Sequence, residues 1–167
     1  MSRFHTIVVA VDFSDSTPDA LEAALGLAPA EAGGHIHLLH VVLGAVPPLW
    51  TDEPLPVDLR PVEQAWTDAA IKQLTALAVS HALDPSRVTT TVVVGAPANE
   101  IVRYADAHHA DVVVLGSHGH GLVRRFLLGS VADKIVRQAP CAVLVVPHRT
   151  LRSGKPAPPP ASLPALP

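Results

Sequence analysis

Glycine and serine recur in one stretch of the chain at a spacing that suits phosphate binding. Gly116 and Gly119 are separated by two residues, and the pair Gly129-Ser130 follows after nine more. Glycine allows the backbone to approach a ligand closely, and amides that are not used in secondary structure can point at an anion. This spacing therefore indicates a loop that binds a phosphorylated ligand.

A helical pattern follows the glycine stretch directly. It predicts a helix from about Val131 to Gln138, ended by Pro140, with Ser130 as its N-cap and Asp133 completing a capping box. A helix N-terminus presents unpaired amides and the positive end of the helix dipole. Both would favour an anion beside the glycines.

Five short runs rich in apolar and β-branched residues predict the strands that would position these groups. They cover residues 4–11, 35–42, 87–94, 111–115 and 141–146, and helical patterns separate them. Alternating strands and helices predict βαβ units with right-handed crossovers. We therefore expect an α/β fold of the Rossmann-like, doubly wound kind, an open five-stranded parallel sheet in the order 3-2-1-4-5 with helices on both faces.

Two helix boundaries are predicted from capping and proline residues. Thr17 is the expected N-cap of the first helix, with Pro18 at its first helical position. The second helix is expected to run from about Val62 to the Asp84-Pro85 pair, because the residue before a proline is biased away from helical backbone.

The 167-residue chain suits one domain with a sizeable core, since 49% of its residues are hydrophobic and only 16% are charged. We expect this domain in residues 1–148. Within it, five prolines in residues 43–61 predict a proline-rich insert or lid without regular structure. Residues 149–167 are again rich in proline and predict a disordered tail.

Composition and residue types argue against several other functions. The formal net charge of −3 gives no field that would gather nucleic acid, and no apolar run is long enough to span a bilayer. No signal-peptide pattern is present at the N-terminus and Cys141 is the single cysteine, so we expect a cytoplasmic protein without an intramolecular disulfide. His35 and His37 would share a strand face, but no third or fourth ligand is evident, so we predict no metal site.

The fold predicts where the site should lie. In an open parallel sheet, ligands bind at the carboxyl ends of the strands, where the strand order reverses. In this order the reversal lies between strands one and four. Strand one ends at Asp12 and strand four at Gly116, so these two residues are expected to face one crevice. His40 and Val41, at the end of strand two, would form the next wall.

Other phosphate-binding loops of similar folds do not match. A Walker A motif is absent, and no Rossmann glycine pattern follows strand one. A response regulator would need an acidic pair after strand one, an aspartate after strand three and a lysine near the end of strand five, and the chain lacks this set. An adenylating enzyme of the PP-loop type would need glycines where Asp12 and Phe13 stand.

Four further segments accompany the glycine spacing. They are Ala10-Val11-Asp12-Phe13-Ser14, Leu39-His40-Val41, Val94-Gly95-Ala96-Pro97 and the block from Arg124 to Val131. With these segments, the chain resembles the universal stress protein family, specifically its ATP-binding branch, over roughly residues 3–147. The resemblance implies a fold of the adenine nucleotide alpha-hydrolase-like type.

The resemblance also implies a site for ATP, with Mg²⁺ held chiefly through the phosphates. Asp12 would lie near the ribose and phosphates, and the backbone of Val41 would read the adenine edge. Ala10 takes the place of a proline in one well-known ATP-binding pattern, and His118 could sit beside the ribose or the γ-phosphate. The residues implied to hold the triphosphate and ribose are Gly116, Gly119, Gly129, Ser130 and Val131.

No residue in the sequence is a convincing general base or water-positioning group, so we predict slow or negligible ATP hydrolysis and assign no catalytic residue. The resemblance implies a nucleotide-responsive stress or regulatory protein that forms a homodimer through the apolar edge of strand five, Ala142–Val146. Two alternatives stay open: a dimeric interaction module of the same fold that binds no nucleotide, and a sensor of AMP or a cyclic nucleotide.

Overall fold

The computed structural model describes residues 4–28, 33–44, 60–117 and 128–147. In these ranges strands and helices alternate as the sequence predicts, and the strand ends lie within two residues of their expected positions. The elements are β1 (Thr6–Ala10), α1 (Thr17–Leu27), β2 (His35–Val42), α2 (Arg60–Ser80), β3 (Val88–Val94), α3 (Pro97–Ala107), β4 (Val112–Gly116), α4 (Ser130–Gln138) and β5 (Ala142–Val146). The predicted tail and residues 45–59 of the predicted insert lie outside the described residues.

The five strands form one parallel sheet in the order β3-β2-β1-β4-β5, which confirms the predicted topology. β1 lies at the centre, because Ala10 is in register with Leu39 of β2 on one side and Leu115 of β4 on the other. The strand order therefore reverses between β1 and β4. The carboxyl ends of all strands meet at one edge of the sheet, where a ligand crevice is expected.

Alternate strand residues build two apolar layers, one on each face of the sheet. On one face, Ile7 packs with Leu21 of α1 and Leu74 of α2. On the other face, Val8 packs with Ile135 of α4 and with residues of α3. All five side chains are fully buried, and burial of each stabilises the fold by roughly 1.5–3 kcal/mol. Helices thus cover both faces, as predicted.

The first helix begins one residue earlier than its predicted cap implies. Ser16, not Thr17, is the N-cap of α1. The amide of Ala20 donates to the Ser16 carbonyl at 3.0 Å, and the residue whose carbonyl accepts the first helical hydrogen bond is the cap. Thr17 is the first helical residue, and Pro18 follows it in the first turn.

The capping box predicted for α4 is wrong. The amide of Asp133 donates to the Gly129 carbonyl at 2.9 Å, so Gly129 is the N-cap and Ser130 is already helical. No side chain caps this terminus among the described residues. The Asp133 carboxylate instead accepts from Arg137 one turn later, with the guanidinium Nε 3.0 Å from Oδ2.

The second helix begins inside the predicted insert. α2 starts at Arg60, because Pro61 in the first helical turn needs no amide hydrogen bond and its ring sets a helical φ. At 21 residues, α2 is the longest helix in the described ranges. No helix in those ranges combines the length and the apolar character needed to cross a membrane.

The second helix also ends earlier than predicted. Its last residue is Ser80, and the amide of Leu83 reaches back to the Ala78 carbonyl at 3.1 Å. The amide of Ala82 donates to the Val79 carbonyl at 3.0 Å, and Ala82 has a φ of 48°. These bonds form a Schellman motif, which closes the helix before the Asp84-Pro85 pair is reached.

Candidate functional site

The N-terminus of α4 is tied to the end of β4. The amide of Ser117 donates to the Val146 carbonyl of β5 at 2.9 Å, and the amide of Gly129 donates to the Ser117 carbonyl at 3.1 Å. Gly116 ends β4, so these bonds bring it close to the Gly129-Ser130 pair. Ser130 and Val131 are exposed on the first turn of α4. The arrangement leaves an accessible helix N-terminus at the reversal point, which can attract an anion.

Asp12 follows β1 at the same edge of the sheet and is half-buried. Its Oδ1 accepts hydrogen bonds from the Ser14 amide at 3.0 Å, the Ser14 hydroxyl at 2.6 Å and the Thr17 hydroxyl at 3.2 Å. These bonds fix the carboxylate in the loop between β1 and α1. A carboxylate held next to a helix N-terminus is also stabilised by the helix dipole.

A cavity of about 440 Å³ opens beside the end of β2. Val41 and His40, the residues expected to form the next wall, both line it. Phe13 closes one side, and α2 supplies the opposite wall. Its lining is completed by Val42, Leu43, Gly44, Trp66, Ala69, Ala70 and Gln73. The cavity combines apolar and aromatic side chains with a few polar groups, as is typical of small-molecule sites.

The structure thus places most of the residues predicted for the site at one edge of the sheet. Ala10 is the last residue of β1 and is half-buried. His118 and Gly119 lie outside the described residues. Sequence reasoning missed Phe13 and Trp66 as walls of the cavity. No local pattern marks Trp66, because its helical spacing predicts a core position, whereas its side chain is 50% exposed.

A second polar cluster lies at the opposite, amino end of β2. The rings of His35 and His37 share a face, as predicted, with centroids 4.9 Å apart. Tyr104 of α3 and His108, the C-cap of α3, join them: His37 Nδ1 lies 3.0 Å from the Tyr104 hydroxyl, and the His108 ring lies 5.1 Å from the His37 ring. Tyr104 and His108 are four residues apart at the end of α3, about one helical turn, which is the sequence signal that could have linked them.

One histidine of this cluster, His37, has a perturbed pKa. Burial, with the nearby His35 and His108 imidazoles, lowers the pKa of His37 from 6.5 to about 4. His37 is therefore neutral at neutral pH. Within the described ranges, no set of three or more histidine, cysteine or acidic side chains is arranged to hold a metal ion. At the amino end of β2, aromatic and imidazole rings pack against one another. At its carboxyl end, an open cavity lies between β2 and α2.

Comparison with known proteins gives a consistent result. A family model described as the universal stress protein family matches residues 3–147. Universal stress protein MJ0531 of Methanocaldococcus jannaschii is 29% identical over 153 residues, which is 86% of this chain and 82% of the relative. Universal stress protein G of Salmonella typhimurium is 32% identical over 145 residues, which is 86% of this chain and 99% of the relative.

Solved structures show the same relationship. Universal stress protein UspA from Lactobacillus plantarum superposes with a TM-score of 0.69 at 26% identity, covering 87% of this chain and 99% of the other. A universal stress protein solved in complex with cAMP has a TM-score of 0.60 at 26% identity, covering 87% of this chain and 98% of the other. The chain belongs to the universal stress protein family.

Proposed function

We propose that this protein binds ATP in the crevice between β1 and β4 and acts as a nucleotide-responsive stress or regulatory protein. One observation carries the proposal. The hydrogen bond from the Gly129 amide to the Ser117 carbonyl joins the α4 N-terminus to the end of β4, at the edge that also carries Asp12 and the cavity beside β2. A helix N-terminus, a carboxylate and an apolar cavity thus share one edge of the sheet.

The phosphates would lie at the N-terminus of α4. Gly129 is the N-cap there, and no described side chain occupies the cap position. The first-turn amides of Ser130 and Val131 are oriented by the helix, and Gly116 allows close approach from the β4 side. His118 and Gly119 complete this group on the strength of the family resemblance alone.

The nucleoside would lie towards β2. A cavity of about 440 Å³ falls within the size range of roughly 300–1,000 Å³ that is typical of small-molecule sites. Phe13 and Trp66 offer aromatic surface for a purine, and the backbone of Val41 offers hydrogen-bonding groups for its edge. Asp12, between the two regions, would accept hydrogen bonds from the ribose hydroxyls.

A magnesium ion fits this arrangement when the phosphates hold it. Mg²⁺ prefers oxygen ligands and keeps several waters, so one or two carboxylates suffice alongside phosphate oxygens. Asp12 is the carboxylate at this edge, and its Oδ1 already accepts three hydrogen bonds within the loop. When bound, the ion would neutralise phosphate charge. Because the sequence offers no convincing general base or water-positioning group, we expect slow or negligible hydrolysis.

A cyclic-nucleotide or AMP sensor is the second candidate. The universal stress protein solved with cAMP, at 26% identity to this chain, favours it. Cyclic AMP shares adenine and ribose with ATP but carries a single phosphate. The structure with cAMP therefore supports recognition of adenine by this chain. The two candidates differ in whether the preferred nucleotide carries three phosphates or one.

The β5 edge supports a further part of the proposal, a homodimer. β5 pairs with β4 on one side and forms one edge of the described sheet. The strand Ala142–Val146 is entirely apolar, and such an edge invites pairing with another chain. Sedimentation of the purified protein tests this: we expect a dimer, and a monomeric wild type would contradict it.

Isothermal titration of the purified protein with ATP, ADP, AMP and cyclic AMP tests the nucleotide proposal. We expect ATP in the presence of Mg²⁺ to bind most tightly, because its phosphates make the most contacts with the α4 N-terminus. Tighter binding of AMP or cyclic AMP would favour the sensor. No binding of any of the four at millimolar concentration would leave the dimeric interaction module without nucleotide as the better description.

A further inference from the structure

His40 contacts the chain on both sides of Asp12. Its Nδ1 lies 2.7 Å from the carbonyl oxygen of Val11, the residue before the aspartate. Its ring lies against the ring of Phe13, the residue after it, with centroids 4.6 Å apart. One side chain on β2 therefore spans the backbone segment that carries Asp12.

The hydrogen bond defines the tautomer of His40. A carbonyl oxygen only accepts, so Nδ1 must carry the proton. The ladder between β1 and β2 ends where Ala10 is in register with Leu39, and the Val11 amide makes one further bond to the Leu39 carbonyl at 2.8 Å. The imidazole of His40 donates a hydrogen bond to the Val11 carbonyl at the point where the backbone leaves the sheet. It thus replaces a ladder bond with a side-chain bond.

Phe13 needs support from its surroundings. Its φ of 58° lies in the left-handed region, which a bulky L-residue seldom adopts. Such a conformation persists only when neighbouring contacts hold it, and it is often found beside functional sites. Phe13 packs on the buried cluster under α1 and α2 and on the His40 ring. Both contacts fix the direction in which the chain leaves Asp12.

We propose that His40 is a positioning residue for the nucleotide site, which holds the Asp12 carboxylate in place by anchoring Val11 and Phe13. This inference rests on the proposed nucleotide function for its biological meaning. His40 acts through Asp12 and the loop, not by chemistry on the nucleotide. The donor at Nδ1 is the essential group, since it makes the bond to the main chain.

Three substitutions separate the donor from the bulk of the ring. His40→Asn keeps an amide N–H close to the position of Nδ1, whereas His40→Gln moves that group one methylene further out. His40→Leu keeps volume but has no donor. Loss of one such hydrogen bond corresponds to about a tenfold change in affinity. We expect ATP affinity to fall about tenfold in the Gln and Leu variants and to stay within about threefold of wild type in the Asn variant.

A double-mutant cycle tests whether the effect passes through Asp12. In an Asp12→Asn background, His40→Leu should weaken ATP binding no further, because coupled residues give non-additive effects. His37→Leu is the matched control, since His37 lies on the same strand but faces the α3 side, and it should leave the affinity unchanged. Additive losses in the cycle, or equal affinity in all His40 variants, would overturn the proposal.

Amide hydrogen exchange without nucleotide gives a readout that is independent of ATP. The Ser14 amide donates to Asp12 Oδ1, so its exchange reports whether the carboxylate is held. We expect faster exchange at Ser14 in His40→Leu and wild-type protection in His40→Asn. Unchanged exchange in every variant would overturn the positioning role. A wild type that binds no ATP contradicts the proposed function alone, and the exchange result still decides whether His40 positions Asp12.

Discussion

β2 carries histidines towards both ends and both faces of the sheet, and their surroundings differ. His40, near the carboxyl end, donates to the main chain beside a cavity of about 440 Å³. His37, near the amino end, lies among the rings of His35, Tyr104 and His108. The same residue type thus fixes an open loop in one place and fills a packed cluster in the other. Position relative to the strand reversal, rather than residue type, marks the candidate site.

If the carboxyl end of the sheet binds the phosphates, Gly129→Leu should weaken ATP binding more than any other substitution. Gly129 has φ −57° and ψ 150°, which any L-residue adopts, so the substitution introduces bulk without backbone strain. We expect ATP affinity to fall by about a hundredfold or more, because the side chain would occupy the space of the phosphates. Titration calorimetry measures this loss.

Gly129→Ala is the control for bulk and should weaken binding less than the leucine variant. Thermal unfolding should show similar midpoints for both variants and wild type, since neither alters the core. Affinity within threefold of wild type for Gly129→Leu would show that the phosphates are held elsewhere. The carboxyl end of the sheet would then no longer be the candidate phosphate site.

Asp12→Asn removes the negative charge at the carboxyl end of β1 and keeps the hydrogen bonds of the loop. The asparagine oxygen can still accept from Ser14 and Thr17, so we expect the free energy of unfolding to change by less than about 1 kcal/mol. The affinity for ATP with Mg²⁺ should fall about tenfold, because the carboxylate charge is lost.

Asp111→Asn is the matched control at the amino end. Hydrogen bonds from the amides of Thr6 and His5 to Oδ2 lower the pKa of Asp111, so this carboxylate also holds a strand end. The substitution should lower stability slightly and leave ATP affinity unchanged. Equal effects of the Asp12 and Asp111 variants on affinity would contradict a site at the carboxyl end.

The histidine cluster predicts a dependence of stability on pH. The pKa of His37 is about 4 in the folded protein against an ordinary 6.5, so between these values the unfolded chain binds more protons. Its contribution is fully present above pH 6.5 and is lost as the pH falls towards 4. Because the ring is only half-buried, solvent screening reduces the effect to on the order of 1 kcal/mol.

Chemical denaturation of wild type and His37→Gln between pH 7 and 4.5 measures this pH dependence of the free energy of unfolding. We expect the variant to show the flatter dependence, since glutamine does not titrate and the lowered pKa of His37 no longer contributes. The lowered pKa values of Asp84 and Asp111 affect stability only at lower pH, because the ordinary value for aspartate is 3.8. Parallel curves for the two proteins would show that His37 titrates normally.

The smallest effect is expected at Asp133, which lies near the crevice but caps nothing. Its pair with Arg137 is exposed and one helical turn long, so Asp133→Asn should change the free energy of unfolding by less than about 0.5 kcal/mol. ATP affinity should also stay close to wild type. A loss above 1 kcal/mol in denaturation experiments would indicate a capping role that the hydrogen bonds do not show.

The strands and their order could be predicted because their causes are local and topological. Val112, Val113, Val114 and Leu115 are all buried, and a strand covered on both faces has a continuous apolar sequence. The βαβ connections then leave few possible orders. The same argument places Asp12 and Gly116 at one edge of the sheet, because both lie at the carboxyl ends of neighbouring strands, and it requires no knowledge of side-chain contacts.

Helix ends and long-range contacts could not be predicted in the same way. The residue at the end of α2 with a left-handed backbone is Ala82, whereas a sequence-based prediction looks for glycine at such a position. At α4, Gly129 is the N-cap because its carbonyl accepts the first helical hydrogen bond. Trp66 in the cavity wall and the contact between His37 and His108 join elements far apart in sequence. Only packing determines such contacts.

The central place of β1 has a consequence for biosynthesis. The first strand of the chain needs β4 as its second neighbour, and the bond from the Thr6 amide to Asp111 spans 105 residues. During synthesis, the edge of β1 that faces β4 therefore has no partner strand until β4 has been made. Contacts of such long range slow folding and leave strand edges open to aggregation. Because β1 and β4 form the candidate crevice together, we expect it to assemble late in folding.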